Sequence, residues 1–182
     1  ELGVPFSDPI AEGRTIQKTT FKALQNGVNV ASSLEVVRRL RNNGVEAPLI
    51  FMGYYNPFLR FGVESFLKEA AVAGADGVIV ADLPTEESEE FSDLCNENGI
   101  YLIPLLAPTS TDQRIASACA RAHGFIYCVS TTGVTGARVG LSGGLPDLVD
   151  RIRRHTDLPV LVGFGISNSE QVKAVSRFAD GV

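Results

Sequence analysis

The stretch Glu1-Leu2-Gly3-Val4-Pro5-Phe6-Ser7-Asp8-Pro9-Ile10-Ala11-Glu12-Gly13 opens on an acid and then breaks off any regular element, because Gly3, Pro5 and Pro9 cannot continue one. Ser7, Asp8 and Glu12 set polar groups on the stiff loop that follows. Acids at a strand end and on the loop after it are what a general acid–base site at the mouth of an α/β barrel requires. The same composition also fits a plain turn with solvated charges, since turns are rich in Pro, Gly and Asp for backbone reasons.

Outward from this stretch the chain alternates. Apolar runs of strand length occupy 49–53, 78–81, 101–106, 125–129 and 160–163. They are nearly continuous, as in parallel strands covered on both faces. Helix-period segments lie between them. Ser32-Ser33-Leu34-Glu35 reads as a capping box, and Ser110-Thr111-Asp112-Gln113 and Ser167-Asn168-Ser169-Glu170 repeat it. The apolar faces that follow are Leu34, Val37 and Leu40, then Ile115, Ala118 and Cys119, then Val172 and Val175. Gly44, Gly74, Gly99 and Gly124 stand between a helix and the next strand, where a left-handed cap is wanted. With a strand ending at Glu1 and another beginning near 179–182, seven strands are expected. The repeat alone fits an open doubly wound sheet or a (β/α)8 barrel.

With 182 residues, 45% of them hydrophobic, one soluble globular domain over 1–182 is expected. A net charge of −5 argues against nucleic acid or an anionic membrane as the main partner. The basic sets Arg38-Arg39, Arg41 and Arg151, Arg153-Arg154 read as solvated helix faces. Cys95, Cys119 and Cys128 are odd in number and lack metal spacing, which points to buried thiols in a reducing compartment. No run approaches the ~18 apolar residues of a membrane span, and no signal-peptide core is seen. A cytoplasmic location is expected. The chain starts on Glu and ends on Asp180-Gly181-Val182, and is read as a fragment of a longer protein.

In a barrel the site lies at the C-terminal strand ends: Glu1, Tyr54, Asp82, the segment 105–108, the segment 127–132 and the segment 163–166. The set is apolar and aromatic with few ionisable groups, which suits a flat hydrophobic substrate held for acid–base chemistry. His123 and His155 lie away from it, and no Ser-His-Asp or Cys-His arrangement can be placed. Gly133-Val134-Thr135-Gly136-Ala137-Arg138 belongs to a connection of roughly 15 residues, long for a βα loop, and reads as a lid against the alternative of a plain connection. Gly163-Phe164-Gly165-Ile166-Ser167 leads from a strand into a capped helix and is a weak phosphate-nest motif, not a dinucleotide fingerprint.

These motifs, with Gly53-Tyr54-Tyr55-Asn56-Pro57 and Ala81-Asp82-Leu83-Pro84, resemble the tryptophan synthase alpha subunits, block by block in the family's order. The resemblance implies the (β/α)8 TIM barrel, incomplete at both ends in this chain. It implies cleavage of indole-3-glycerol phosphate into indole and glyceraldehyde 3-phosphate, a retro-aldol reaction. Glu1 resembles the acid–base residue, with a pKa expected to be raised among apolar groups. Tyr127 resembles a neighbouring site hydroxyl, and Met52, Tyr54, Ile79, Ala81, Leu105 and Phe164 the walls of the indole pocket. Thr135 resembles the lid threonine, and Gly136, Gly163 and Gly165 the phosphate glycines. The family places an Asp, which accepts the indole N–H, where this chain has Glu12. Glu adds roughly 1.5 Å of reach, and a shift of about 1 Å at a reacting centre can cost about 100-fold. No cofactor in this chain is implied; the partner is a pyridoxal phosphate beta subunit or fused beta domain that takes the indole. The loop with Pro5 to Asp8, together with Asn56-Pro57 and Pro84, resembles the docking face.

Two competitors share the scaffold: a stand-alone indole-releasing lyase, and a weakly catalytic regulatory partner of the beta subunit, suggested by Glu12. A sugar-phosphate epimerase would need metal-binding His and Asp at strand ends, which the sequence lacks.

Overall fold

The computed structural model describes residues 1–129 and 144–182. In chain order the elements are β1 (Leu2–Gly3), α1 (Arg14–Gln25), α2 (Val30–Asn42), β2 (Ile50–Gly53), α3 (Tyr55–Phe61), α4 (Val63–Ala73), β3 (Gly77–Val80), α5 (Glu89–Glu97), β4 (Tyr101–Leu102), β5 (Leu105–Leu106), α6 (Asp112–Arg121), β6 (Ile126–Val129), α7 (Leu145–Arg153), β7 (Val160–Gly163) and α8 (Ser169–Val175). They fall into two compact units, Glu1–Pro9 with Ile16–Leu102, and Ile10–Thr15 with Ile103–Val182.

The first unit holds a parallel sheet in the order β1-β2-β3-β4. Strand β1 covers Leu2–Gly3, so the expected strand end at Glu1 moves two residues on. The Val4 N–H donates to the Met52 carbonyl at 2.8 Å as the last rung. Pro5, without an N–H, cannot add another. Strand β3 is buried along its whole length, as its apolar run requires. Phe51, Val78 and Val80 pack outward with Leu34, Val37, Phe58, Phe66 and Phe91 of the helices.

The second unit has the parallel order β5-β6-β7. Its core joins Leu106, Ile126, Cys128, Val160 and Val162 to Ile115, Leu148, Val149 and Ile152. The run read as one strand over 101–106 is two short pieces, one in each unit, because Pro104 cannot supply a ladder donor. The strand expected near 179–182 is a single bridge, Leu161 to Gly181.

Each expected helix start moves by one or more residues. Helix α2 is capped by Asn29, whose side chain accepts from Ser32 N while Ser32 Oγ accepts from Asn29 N, closing the box ahead of Glu35. An earlier start buries Val30 in the core. Thr111 rather than Ser110 caps α6, because Ser110 Oγ accepts from Ala107 N instead. Asn168 rather than Ser167 caps α8. Val175 of α8 is fully buried but Val172 is 38% exposed, since residues three apart sit about 60° apart around a helix.

The basic sets are not all solvated. Arg41 donates to the carbonyls of Gly74, Val45 and Ala47 and, at 2.6 Å, to Asp76. Asp76 also accepts from Leu49 N at 2.6 Å, while its own N–H donates to the Leu49 carbonyl at 2.9 Å. The second unit repeats this arrangement at the start of β7. Arg153 pairs with Asp180 at 3.0 Å, Asp180 accepts from Val160 N at 2.8 Å, and Asp180 N donates to the Val160 carbonyl at 2.9 Å. The Val160 N–H, helped by Arg153, holds the Asp180 carboxyl below its usual value. Arg151 ties Asp112 to the Ser110 carbonyl. All three cysteines are buried free thiols.

Candidate active site

Side chains alternate along a strand, so the outward set just described leaves a second face on each sheet. In the first unit Gly3, Met52 and Ile79 share one register row of that face. Met52 and Ile79 do not pack with the outward core. Glu1 stands immediately before β1, two residues from Gly3. It is exposed rather than enclosed among apolar groups as expected, lying ahead of the first strand rather than within it. Ala81, half-buried, follows the row's end with its N–H on the Gly53 carbonyl at 2.9 Å.

Tyr54 leaves β2 directly and is 3% exposed, its ring 5.4 Å from Phe6. It is the residue before the first turn of α3, a helix not expected from the sequence. Pro57 falls in that first turn, where the missing N–H costs nothing. The Tyr54 side chain does not cap the helix. Asp82, from the end of β3, accepts from Tyr55 N at 2.7 Å instead. Beside this turn a groove of about 550 Å³ is lined by Pro5, Phe6, Ser7, Asn29, Asn56, Pro57 and Arg60 among others.

In the second unit Leu105, Tyr127 and Leu161 form the corresponding row. The Tyr127 ring lies over Gly163 so closely that a Cβ there would meet its hydroxyl and ring carbons well inside 3.0 Å. Phe164, 5.6 Å from Tyr127 between ring centres, has φ +66°, and Gly165 has φ +80°. A left-handed turn at a phenylalanine costs roughly 1–3 kcal/mol and is held only by its surroundings. Gln171 accepts from Ser167 N at 2.7 Å, so that amide of the glycine segment already has a protein partner. Glu12, half-buried, lies on the segment Ile10–Thr15 that belongs to this unit.

The structure thus groups Glu1, Met52, Tyr54, Ile79 and Ala81 in one unit, and Glu12, Leu105, Tyr127, Gly163, Phe164 and Gly165 in the other. Thr135, Gly136 and the expected lid lie outside the described residues. Among the described residues no group of three His, Cys, Asp or Glu is placed to hold a metal ion. No helix among them is long and apolar enough to cross a membrane. What the sequence reading missed is the use of Asp82. Its signal was there, a short polar acceptor at a strand end next to a helix whose own first position is a tyrosine.

A sequence model of the tryptophan synthase alpha chain matches residues 1–182. The tryptophan synthase alpha chain of Roseiflexus castenholzii is 54% identical over 181 residues, covering 100% of this chain and 69% of that protein. The solved Mycobacterium tuberculosis tryptophan synthase superposes with a TM-score of 0.90 at 39% identity, over 99% of this chain and 68% of that one. A Pyrococcus furiosus structure, described as the mutual activation of the tryptophan synthase α2β2 complex, gives 0.89 at 40% identity over 99% and 73%. The parallel strands and alternating helices are therefore those of a (β/α)8 barrel, of which this chain spans the larger part. On the match along its whole length and on this likeness of fold, the chain belongs to the tryptophan synthase alpha chain family.

Proposed function

We propose that this alpha chain performs the lyase step of tryptophan biosynthesis, cleaving indole-3-glycerol phosphate to indole and glyceraldehyde 3-phosphate, with Glu1 as its acid–base residue. The reaction needs a proton delivered to the indole ring and one removed from the side-chain hydroxyl, so that the carbon–carbon bond between them breaks. A single carboxyl can do both in turn. What supports this reading is the row Gly3, Met52 and Ile79, with Glu1 two residues before Gly3. It offers an acid beside flat apolar surface and no competing ionisable group in the row.

Met52, Tyr54, Ile79, Ala81, Leu105 and Phe164 are the proposed walls for the indole, and Tyr127 the neighbouring hydroxyl. Glu12 takes the part of acceptor for the indole N–H. Gly163 and Gly165, with Gly136, are assigned to the phosphate, and Thr135 to the lid. The likeness to an α2β2 complex supports a beta subunit or fused beta domain as partner. Its pyridoxal phosphate would consume the indole, leaving this chain no cofactor of its own. The groove between Pro5–Ser7 and Asn56–Pro57 fits the proposed docking face, and a cytoplasmic setting is assigned with the pathway.

Glu1→Gln in the full-length protein removes the titrating proton with little change of shape. Turnover of saturating indole-3-glycerol phosphate, followed by indole release, should fall by two orders of magnitude or more, within the usual contribution of about 10²–10⁴ for a general acid–base group. Near-parental turnover would remove Glu1 from the mechanism.

A further inference from the structure

We infer that Asp82 is a positioning residue for the substrate tyrosine, acting through the first turn of α3. This rests on the reading that Tyr54 lines the substrate pocket. Helix α3 begins at Tyr55 with only Tyr54 between it and β2, so its N-terminal amides arise at the mouth of the sheet itself. The residue in the capping position is Tyr54, whose side chain makes no capping bond to those amides. The acceptor comes from the turn after the neighbouring strand instead: Asp82 Oδ1 takes the Tyr55 N–H at 2.7 Å. The backbones of the two strand ends are joined as well, Ala81 N to the Gly53 carbonyl at 2.9 Å. The peptide between Tyr54 and Tyr55 is thus fixed from the end of β3.

That peptide has two neighbours of consequence. On one side is the Tyr54 side chain, buried and set against Phe6. On the other are Asn56 and Pro57, which line the groove. A seven-residue helix has few bonds of its own, so a cap supplied from outside decides whether its first turn holds. The carboxylate sets the position of Tyr54 and of the groove wall together, without touching substrate.

The test compares Asp82→Ala, Asp82→Asn and Tyr54→Ala in the full-length protein, with KM and kcat for indole-3-glycerol phosphate measured separately. Asp82→Ala should raise KM about fivefold, the ratio expected for a lost cap, with kcat changed by less than about twofold. Asp82→Asn keeps an oxygen acceptor at the same place and should restore KM to within about twofold of the parent. Tyr54→Ala should raise KM at least as much as Asp82→Ala. An unchanged KM in Asp82→Ala beside a raised one in Tyr54→Ala overturns the inference and leaves the pocket assignment standing. An unchanged KM in Tyr54→Ala sinks the pocket assignment itself. An Asn variant as impaired as Ala would show that the charge acts directly, which also overturns the capping role.

Discussion

Replacing Gly163 by alanine adds one carbon to a place the Tyr127 ring already fills. The added Cβ would fall under 3.0 Å from the Tyr127 hydroxyl and from two ring carbons. Ordinary contact between such atoms is about 3.5–4.0 Å. The ring must therefore retreat by more than about 1 Å. It has little freedom to do so, with Phe164 at 5.6 Å and Phe125 at 6.2 Å between ring centres. Overpacking of this kind costs about 1–3 kcal/mol in stability, and a catalytic group moved by about 1 Å can lose about 100-fold in rate. The full-length Gly163→Ala protein should therefore melt lower and release indole from indole-3-glycerol phosphate about 100-fold more slowly. Tyr127→Phe added to it should not restore the melting temperature, because the ring carbons still occupy the space. Parental rate and melting temperature together would refute the packing argument. A lowered melting temperature with parental rate would leave the packing intact and remove Tyr127 from the chemistry.

Glu12→Asp shortens the proposed indole N–H acceptor by a methylene, and indole release should rise about ten- to a hundredfold with and without the beta subunit. A fall, or no change, would mean that the segment Ile10–Thr15 is built around Glu, and the regulatory-partner reading would lose its support. Burial pushes the thiols of Cys95 and Cys128 up from 9.0 to about 12, Cys119 adding to the effect at Cys128. Their folded forms hold the proton longer than the unfolded chain does, so this stabilisation is complete below about pH 8.5 and is lost as pH rises through the folded values. The native protein at about pH 8 should accordingly resist iodoacetamide at both thiols, while denatured protein reacts fully; rapid native alkylation of either would contradict the burial.

The alternation of buried apolar runs with capped amphipathic helices was legible in the sequence because both signals are local. Runs such as 77–80 are buried on both faces and show it in composition. Helix starts were legible only to within a few residues. Asn29, Ser32 and Ser33 can all cap, and what selects Asn29 is the burial of Val30 against distant residues. The break at Pro104 follows from its missing donor, although the apolar composition of 101–106 reads as one longer run. Arg41 and Asp76 lie 35 residues apart, and no local pattern announces their pairing. At the candidate site the glycine segment and the acids stood out by type. The position of Asp82 against Tyr55 is set by the register of β2 and β3, which only the folded chain supplies.

The arginine–aspartate arrangement found at the start of β2 and again at the start of β7 bears on a difficulty particular to such sheets. A strand whose residues are apolar in unbroken succession gains nearly as much burial when slid by one residue, so hydrophobicity alone is a poor judge of alignment. At Leu49 with Asp76, and at Val160 with Asp180, a slip would part reciprocal backbone bonds and a charge pair in a single movement. The entry ends of these strands act as keys that admit one alignment. With alignment secured there, the exit ends are released from that duty. The exit of β7 can carry a left-handed phenylalanine at Phe164, a feature that would make a poor guide to folding.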